Sequence, residues 1–343
     1  MKNKLTLIIL LFACIMNPLV GESIWVKYGN QLFQGSGDAA SISLGESNIA
    51  AVSGPLSLLL NPARLYFEQE RYLSFSHQER FSGLVSYDVI GFHLKDNLKY
   101  KRAFVLIREG VQGIPNTTRA LLFDTGSLDD ENERIDASKI TYFNQVQWGG
   151  IFGLATMWGD WIVGGNVKGI IHQLGSYTGY GVGFDFGLYR VFRFSNTFAI
   201  TIRDVTSSWI IWESGTVERI APEIVLGDVQ SLKINSLNLE VKLLAATLLS
   251  FSGRTNTDDF FIGNMGGNFR FGLDIMYKTR FHLRLGRNPI SNYTSGLGFL
   301  LPFGSIDYAF MPSPLGSILG NSHYLTLNVK LRFLSSLLES VKR

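Results

Sequence analysis

The chain has 343 residues, a formal net charge of +3 and only 17% charged residues, against 46% hydrophobic residues, 36 glycines and a single cysteine. Charge is well below the ordinary ~25%, and a balance this close to neutral leaves no electrostatic footprint for nucleic acid. Beyond the N-terminus no apolar run reaches 18 residues, which excludes a helical membrane protein and leaves a glycine- and aromatic-rich sheet protein.

Residues 1–21 read as a signal peptide. Lys2 and Lys4 precede an apolar stretch from Leu5 to Met16, Asn17-Pro18 breaks it, and cleavage is expected after Gly21. Cys14 lies inside this leader, so the mature chain has no thiol chemistry and no disulfide. Loss of Lys2 and Lys4 leaves 29 basic against 28 acidic residues.

Residues 22–70 do not alternate as strands do. Gly35-Ser36-Gly37 and Gly54-Pro55 punctuate the segment, and Leu56 to Leu60 is closed by Asn61, Pro62 and Ala63. A residue before proline is pushed out of the α region, so Asn61-Pro62 makes a rigid turn. Leu58, Leu59 and Leu60 require burial, and burial inside a barrel mouth would make this segment a plug or hatch, with these leucines beside an apolar pocket.

From Tyr72 onward the chain is a succession of two-faced segments with the side-chain period of a strand. Leu73 and Phe75 alternate with Ser74 and Ser76. The next stretch, Ser82–Leu94, slips phase near Asp88-Val89-Ile90, which suggests a bulge. Residues 109–140 read as a long polar rim loop. Trp148, Phe152 and Leu154 then share one face; Val163, Val167 and Ile171 oppose Asn166, Lys168 and His172; Phe184 and Phe186 oppose Asp185 and Gly187; Ile200 and Ile202 oppose Thr201 and Arg203. A second long loop, Asp204 to Pro222, carries Trp209, Trp212, Glu213 and Glu218, a candidate interaction site. Further on, Phe271 and Leu273 oppose Arg270 and Asp274, Leu283 and Leu285 oppose His282 and Arg284, and Ile306 and Tyr308 oppose Asp307. The closing segment alternates from Leu325 through Leu327, Val329 and Leu331 to Phe333. About 14 such segments of roughly 8–12 residues match the length of a tilted membrane-crossing strand.

The polar faces hold Arg, Lys, Asp and His that a soluble core would not accept unpaired. The apolar faces therefore point to lipid, and the polar and glycine faces line a lumen. The expected fold is all-β: a transmembrane antiparallel β-barrel over 71–333, an N-terminal plug over 22–70 and a short tail over 334–343, in the outer membrane of a diderm bacterium. Trp148, Trp158, Trp161 and Tyr189 suit the aromatic girdles. Phe333 reads as the terminal aromatic that barrel-insertion machinery recognises. Behind it, Leu334, Leu337, Leu338 and Val341 have helical spacing.

No enzymatic motif is present. The five histidines are scattered, no acids or cysteines lie at metal-ligand spacing, and neither a nucleophile elbow nor a phosphate loop occurs. Neither cofactor nor metal is expected.

Several stretches resemble the PorV/PorQ family within the FadL-like outer-membrane barrels. They are Leu44-Gly45 and Asn61-Pro62-Ala63 in the N-terminal region, Tyr72 to His77, Ile211 to Gly215 followed by Glu218, Pro222 and Gly227, Phe271-Gly272-Leu273, Leu283 to Gly286, and Ile306 to Phe310. The resemblance implies a 14-stranded barrel with an N-terminal plug. It departs from the family at Ser53-Gly54-Pro55, where an acidic pair is usual, and in the ten residues beyond Phe333. Two functions follow from it. One is a type IX secretion-associated barrel that binds secreted proteins through its long loops. The other is a FadL-like transporter of long-chain fatty acids or other hydrophobic small molecules, which a lateral wall opening beside Leu58–Leu60 would favour. Outer-membrane lipid and the insertion machinery are expected partners on either reading.

Overall fold

A computed structural model describes residues 23–25, 31–95, 99–122, 134–192, 196–289, 293–313 and 317–341; the signal peptide lies outside the described residues. Fourteen antiparallel strands close on themselves as a barrel. They are β1 (Tyr72–Arg80), β2 (Val85–His93), β3 (Lys101–Asn116), β4 (Thr141–Trp158), β5 (Trp161–Leu174), β6 (Tyr177–Val191), β7 (Thr197–Arg203), β8 (Glu223–Ile234), β9 (Leu239–Ser250), β10 (Met265–Tyr277), β11 (Phe281–Arg287), β12 (Thr294–Leu301), β13 (Gly304–Met311) and β14 (Ser322–Lys330). Each pairs with its neighbours in sequence, and β1 closes on β14 from Tyr72↔Lys330 to Glu79↔His323. Closure removes the free edges that an open sheet would expose, and lipid, which cannot hydrogen-bond them, makes it obligatory.

The side-chain faces fall as the alternation requires, except that Tyr189, expected in an aromatic girdle, points inward and is buried against Phe67 of the plug. Phe75, Trp148, Phe152, Val167, Phe186, Phe271, Leu283, Leu297 and Leu325 are exposed on the outer wall, while Lys168, Asp185, Arg203, Arg270, Asp274 and Arg284 are buried within. The longer connections 117–140, 204–222, 251–264 and 312–321 all lie at the end opposite Tyr72 and Lys330, so that end faces the exterior and the termini of the barrel face the periplasm.

Four further readings of the sequence change. Strand β2 pairs without a slip on both sides, with Tyr87 and Val89 inward and Ile90 outward; the register shift lies instead between Val111 and Ile114 of β3. The long polar loop is shorter than 109–140, because β3 runs on to Asn116 and pairs there with Thr141. The stretch 204–222 is a β-hairpin, Ser208–Trp212 against Val217–Ile220. Strand β14 ends at Lys330, and Leu331–Val341 forms a helix that takes up Phe333.

Inside the barrel sits the plug. It comprises a 3-10 turn at Gln31–Phe33, helix α1 (Ala39–Ser43), and 3-10 turns at Pro55–Leu59 and Pro62–Phe67. Its leucines require apolar partners, so the wall facing them is apolar too. Leu32, Phe33, Leu56, Leu58 and Leu59 pack on Tyr87, Val89, Val105, Ile107 and Ile151 of β2–β4. Here both faces of the wall are apolar, one toward lipid and one toward the plug.

Candidate functional site

The plug is held by caps of its own and by the wall. Asp38 caps α1: its Oδ1 accepts from Ser41 N at 2.7 Å and its Oδ2 from Ser41 Oγ at 2.7 Å. Burial raises the Asp38 carboxyl above its ordinary range against the pull of these bonds. Asn61 caps the Pro62–Phe67 turn in the same way, its Oδ1 accepting from Ala63 N at 3.0 Å. Its Nδ2 donates to Ile49 O within the plug and to Leu188 O of β6, both at 3.3 Å. Short 3-10 turns leave carbonyls without internal partners, and lumen-facing side chains supply them. Asn166 Nδ2 donates to Leu58 O at 2.6 Å, Thr201 Oγ1 to Leu60 O at 2.9 Å, and Arg203 Nη1 to Gln34 O at 2.9 Å. Glu46 joins the two parts: Ser36 N donates to its Oε1 at 2.6 Å, and Arg270 lies 2.9 Å from its Oε2. Burial would raise the Glu46 carboxyl, but the Arg270 charge, with the Ser36 N–H, lowers it overall.

Four wall glycines, Gly164, Gly187, Gly272 and Gly286, are seats for plug backbone. A side chain at Gly164 would meet Pro62 and Ala63, with Ala63 Cα only 2.7 Å from its Cβ, and one at Gly187 would stand 2.9 Å from Pro62 Cδ. Gly272 and Gly286 do the same for Leu44 to Ser47.

Beside the plug the wall is interrupted. After Arg203 the regular ladder with β6 gives way to a bulge through Asp204, Thr206 and Ser207, at φ of 51°, 65° and 91°, a left-handed region that L-residues seldom occupy, and Val205 N donates to Phe184 O of β6 at 2.8 Å. The chain rejoins β6 as Ser208–Trp212, with Trp209 opposite Val182. It returns as Val217–Ile220, whose other edge carries the parallel strand Ser23–Trp25, and passes through Ala221-Pro222 into β8. A buried charge cluster holds the kink: Lys168 Nζ lies 2.7 Å from both Asp185 Oδ1 and Asp204 Oδ1, and Ser208 Oγ donates to Asp204 at 2.5 Å. Between β5, β6 and the kink a cavity of about 10 Å³ reaches the wall, bordered by Phe33, Lys168, Ile170, Val182 and Trp209. Phe33 lies against the Lys168 ammonium, 5.4 Å from its ring centre.

A larger cavity, about 430 Å³, separates the plug from β9–β14 at the periplasmic end. Leu44, Val52, Leu56, Leu244, Met276 and Leu300 supply its apolar lining. Glu68, Lys242, Arg284 and Lys330 bring charge to it. Its volume is within the roughly 300–1,000 Å³ of small-molecule sites. Burial raises the Glu68 carboxyl, although Gly54 N donates to it at 2.6 Å.

The residues singled out from sequence are thus spread over the molecule. Asn61, Pro62 and Ala63 form the buried turn of the plug. Leu58, Leu59 and Leu60 are packed solid within plug and wall, and the 430 Å³ cavity is lined by Leu56 instead. Trp209, Trp212 and Glu218 lie on the hairpin beyond the kink and Glu213 in its turn, with the Trp212 ring 4.9 Å from His172. Phe333 stacks on Phe303 at 5.2 Å, off the strand. Sequence reasoning misses the Lys168–Asp185–Asp204 cluster and the Glu46–Arg270 pair; charge on the inward strand faces at Lys168, Asp185 and Arg270 is their trace in the sequence. Among the described residues no three His, Cys, Asp or Glu side chains gather as metal ligands.

No protein-family model and no curated protein matches the chain. Solved structures do. The toluene transporter TbuX of Ralstonia pickettii is similar with a TM-score of 0.55 at 11% identity, over 85% of this chain and 98% of that one. The monoaromatic hydrocarbon channel CymD gives 0.52 at 11% identity, over 87% and 98%. The P. putida toluene transporter TodX gives 0.50 at 8% identity, over 81% and 94%. At these identities the likeness is one of fold. The protein is an outer-membrane β-barrel, closed by 14 antiparallel strands.

Proposed function

We propose that this barrel carries hydrophobic solutes across the outer membrane. The observation that carries the reading is the filled lumen beside an interrupted wall. The plug occupies the interior on β2–β7, which suits a general aqueous pore poorly, while next to Phe33 the β6–β7 ladder between Phe186 and Val182 is reduced to the bond from Val205 N to Phe184 O. A hydrophobic solute needs no continuous water path, only an apolar contact inside and an exit through the wall or past the plug. The 430 Å³ cavity, where Leu44, Val52, Leu56 and Leu244 stand beside Asp38, Asp274, Arg284 and Asp307, suits a solute that carries a polar group on a hydrophobic body.

The fold shared with TbuX, TodX and CymD favours this reading over the secretion-associated one, in which a PorV/PorQ-type barrel would bind exported proteins through its hairpin and loops. Outer-membrane lipid surrounds the barrel on either reading, and the barrel-insertion machinery delivers it there.

The test is accumulation of labelled toluene and labelled oleate by cells that lack their own transporter for each and produce this protein in the outer membrane. Uptake of at least one is expected to exceed that of empty-vector cells several-fold, with no gain for a hydrophilic sugar. Equal uptake of both labels with and without the protein, together with co-purification of exported proteins from detergent extract, would overturn the transport reading.

A further inference from the structure

We infer that the C-terminal helix, α2 (Leu331–Val341), lies in the periplasmic leaflet of the outer membrane and completes the lipid-facing belt where the barrel wall is short. The wall is uneven. Strands β3–β6 have 14–18 residues, whereas β11–β14 with β1 and β2 have 7–9. At ~3.4 Å per residue and a tilt of about 40°, seven to nine residues rise roughly 18–23 Å, less than the ~25 Å apolar band of such barrels. The apolar part of the short side is smaller still. On β14 it consists of Leu325, Leu327 and Val329, and His323 follows toward the exterior. On β1, Leu73 and Phe75 give way to His77 and Glu79, and on β2 Asp88 stands 2.6 Å from His77 on the same outer face. Charge fixes the outer limit of the belt here, so the missing height lies on the periplasmic side.

That is where α2 begins, with no residue between it and β14. Leu331 N donates to Arg71 O at 2.8 Å, Arg332 lies 2.8 Å from Glu70, and Phe333 stacks on Phe303 in the turn after β12. At 100° per residue, Leu331, Phe333, Leu334, Leu337 and Leu338 share one side, and Arg332, Ser335, Ser336, Glu339 and Ser340 the other. The apolar side is uncovered: Leu337 is 46% and Leu338 64% exposed. A helix ~10 Å across, laid beneath three apolar rows of β14, makes up about the height the band lacks. The uncovered face is continuous in sequence with the lipid-facing row of β14, which identifies the occupant as lipid. A mismatch of this size would otherwise be met by thinning of the bilayer.

The mature chain has no cysteine, so single nitroxide labels can be placed in the full-length protein reconstituted in phosphatidylethanolamine/phosphatidylglycerol vesicles. Labels at L338C, S336C and L327C are compared by power saturation with oxygen and with a water-soluble nickel chelate. L338C is expected to match the lipid-facing L327C, favouring oxygen several-fold, and S336C to favour nickel. Equal nickel access at L338C and S336C would overturn the inference by placing the helix in water. Low access of both agents at L338C would also overturn it, by showing that a second copy or another protein covers the face. Heat-modifiable gel migration checks that each labelled protein is a folded barrel.

Discussion

Asn61→Ala tests whether the plug turn is what fixes the plug to the wall. Asn61 is fully buried, and its side chain makes three hydrogen bonds, one to Ala63 N, one to Ile49 O and one to Leu188 O. Loss of an N-cap side chain costs about 1 kcal/mol. The other two bonds are long at 3.3 Å, and at the low end of ~0.5 kcal/mol each they add about another 1 kcal/mol. Opening of the plug turn together with its release from β6 breaks all three bonds and should therefore become easier by about 2 kcal/mol, roughly 30-fold in its equilibrium constant. Ser57 is fully buried in the plug, and Ser57→Cys, nearly isosteric, gives a single thiol that reports exposure. Where redocking outpaces reaction, maleimide labelling of N61A/S57C should run roughly 30-fold faster than that of S57C alone. The barrel itself should keep its heat-modifiable migration. Equal labelling rates in the two folded proteins would refute the reasoning, since the three bonds would then contribute nothing to keeping the plug turn closed on the wall.

Two further outcomes follow from the same geometry. Gly164→Val should displace the plug turn, because its Cβ would run into Pro62 and Ala63 backbone that cannot yield. Gly169→Val on the same strand, with open space around it, should be tolerated; the two variants are separated by their thermal midpoints in detergent, and similar midpoints would contradict the seat. Glu46 gives plug docking an acid limit. Its folded carboxyl lies below the ordinary 4.5, so the stabilisation is present above the unfolded value and is lost as pH falls through the folded one. E46Q should therefore be less stable than wild type at pH 7, with the gap closing below about pH 4.5; a gap that is unchanged at pH 3 would show that the charge of Glu46 does not hold the plug.

The barrel was legible because lipid and lumen make opposite demands on alternate residues. Phe271 and Arg270, or Leu283 and Arg284, could take only one arrangement once enough such segments followed one another. The plug was legible for a similar reason, since Leu58–Leu60 beside Asn61-Pro62 had to be buried in a non-strand segment. Three features were not, each for a physical cause. In β2–β4 the inward Val89, Val105 and Ile107 are apolar because of plug residues distant in sequence, so alternation there carries no polarity signal. The kink after Arg203 depends on Lys168 and Asp185, 36 and 19 residues away from Asp204, and nothing local in 204–207 announces it. At the end of β14, Leu331 and Phe333 fit the strand period and the helix period alike. The backbone turns helical at Leu331 even though Leu331 N still makes the next in-register bond to Arg71 O, and residue types alone do not specify that change.

The two sides of the plug are held by different physics. Toward β2–β4 it is fixed by leucine and phenylalanine packed on an apolar wall, a contact that is strong in sum and indifferent to direction. Toward β10–β12 it rests on glycines and on the Glu46–Arg270 pair, with the 430 Å³ cavity on its periplasmic side. Separating the second side exposes few large apolar side chains and breaks a few directional bonds, while separating the first exposes a hydrophobic core. Any movement that enlarges the cavity therefore costs least if the plug stays on β2–β4 and lifts from β10–β12. Asn61, bonded both to Ile49 of the plug and to Leu188 of β6, stands between these two sides, which is why its loss should be felt as undocking rather than as unfolding of the barrel.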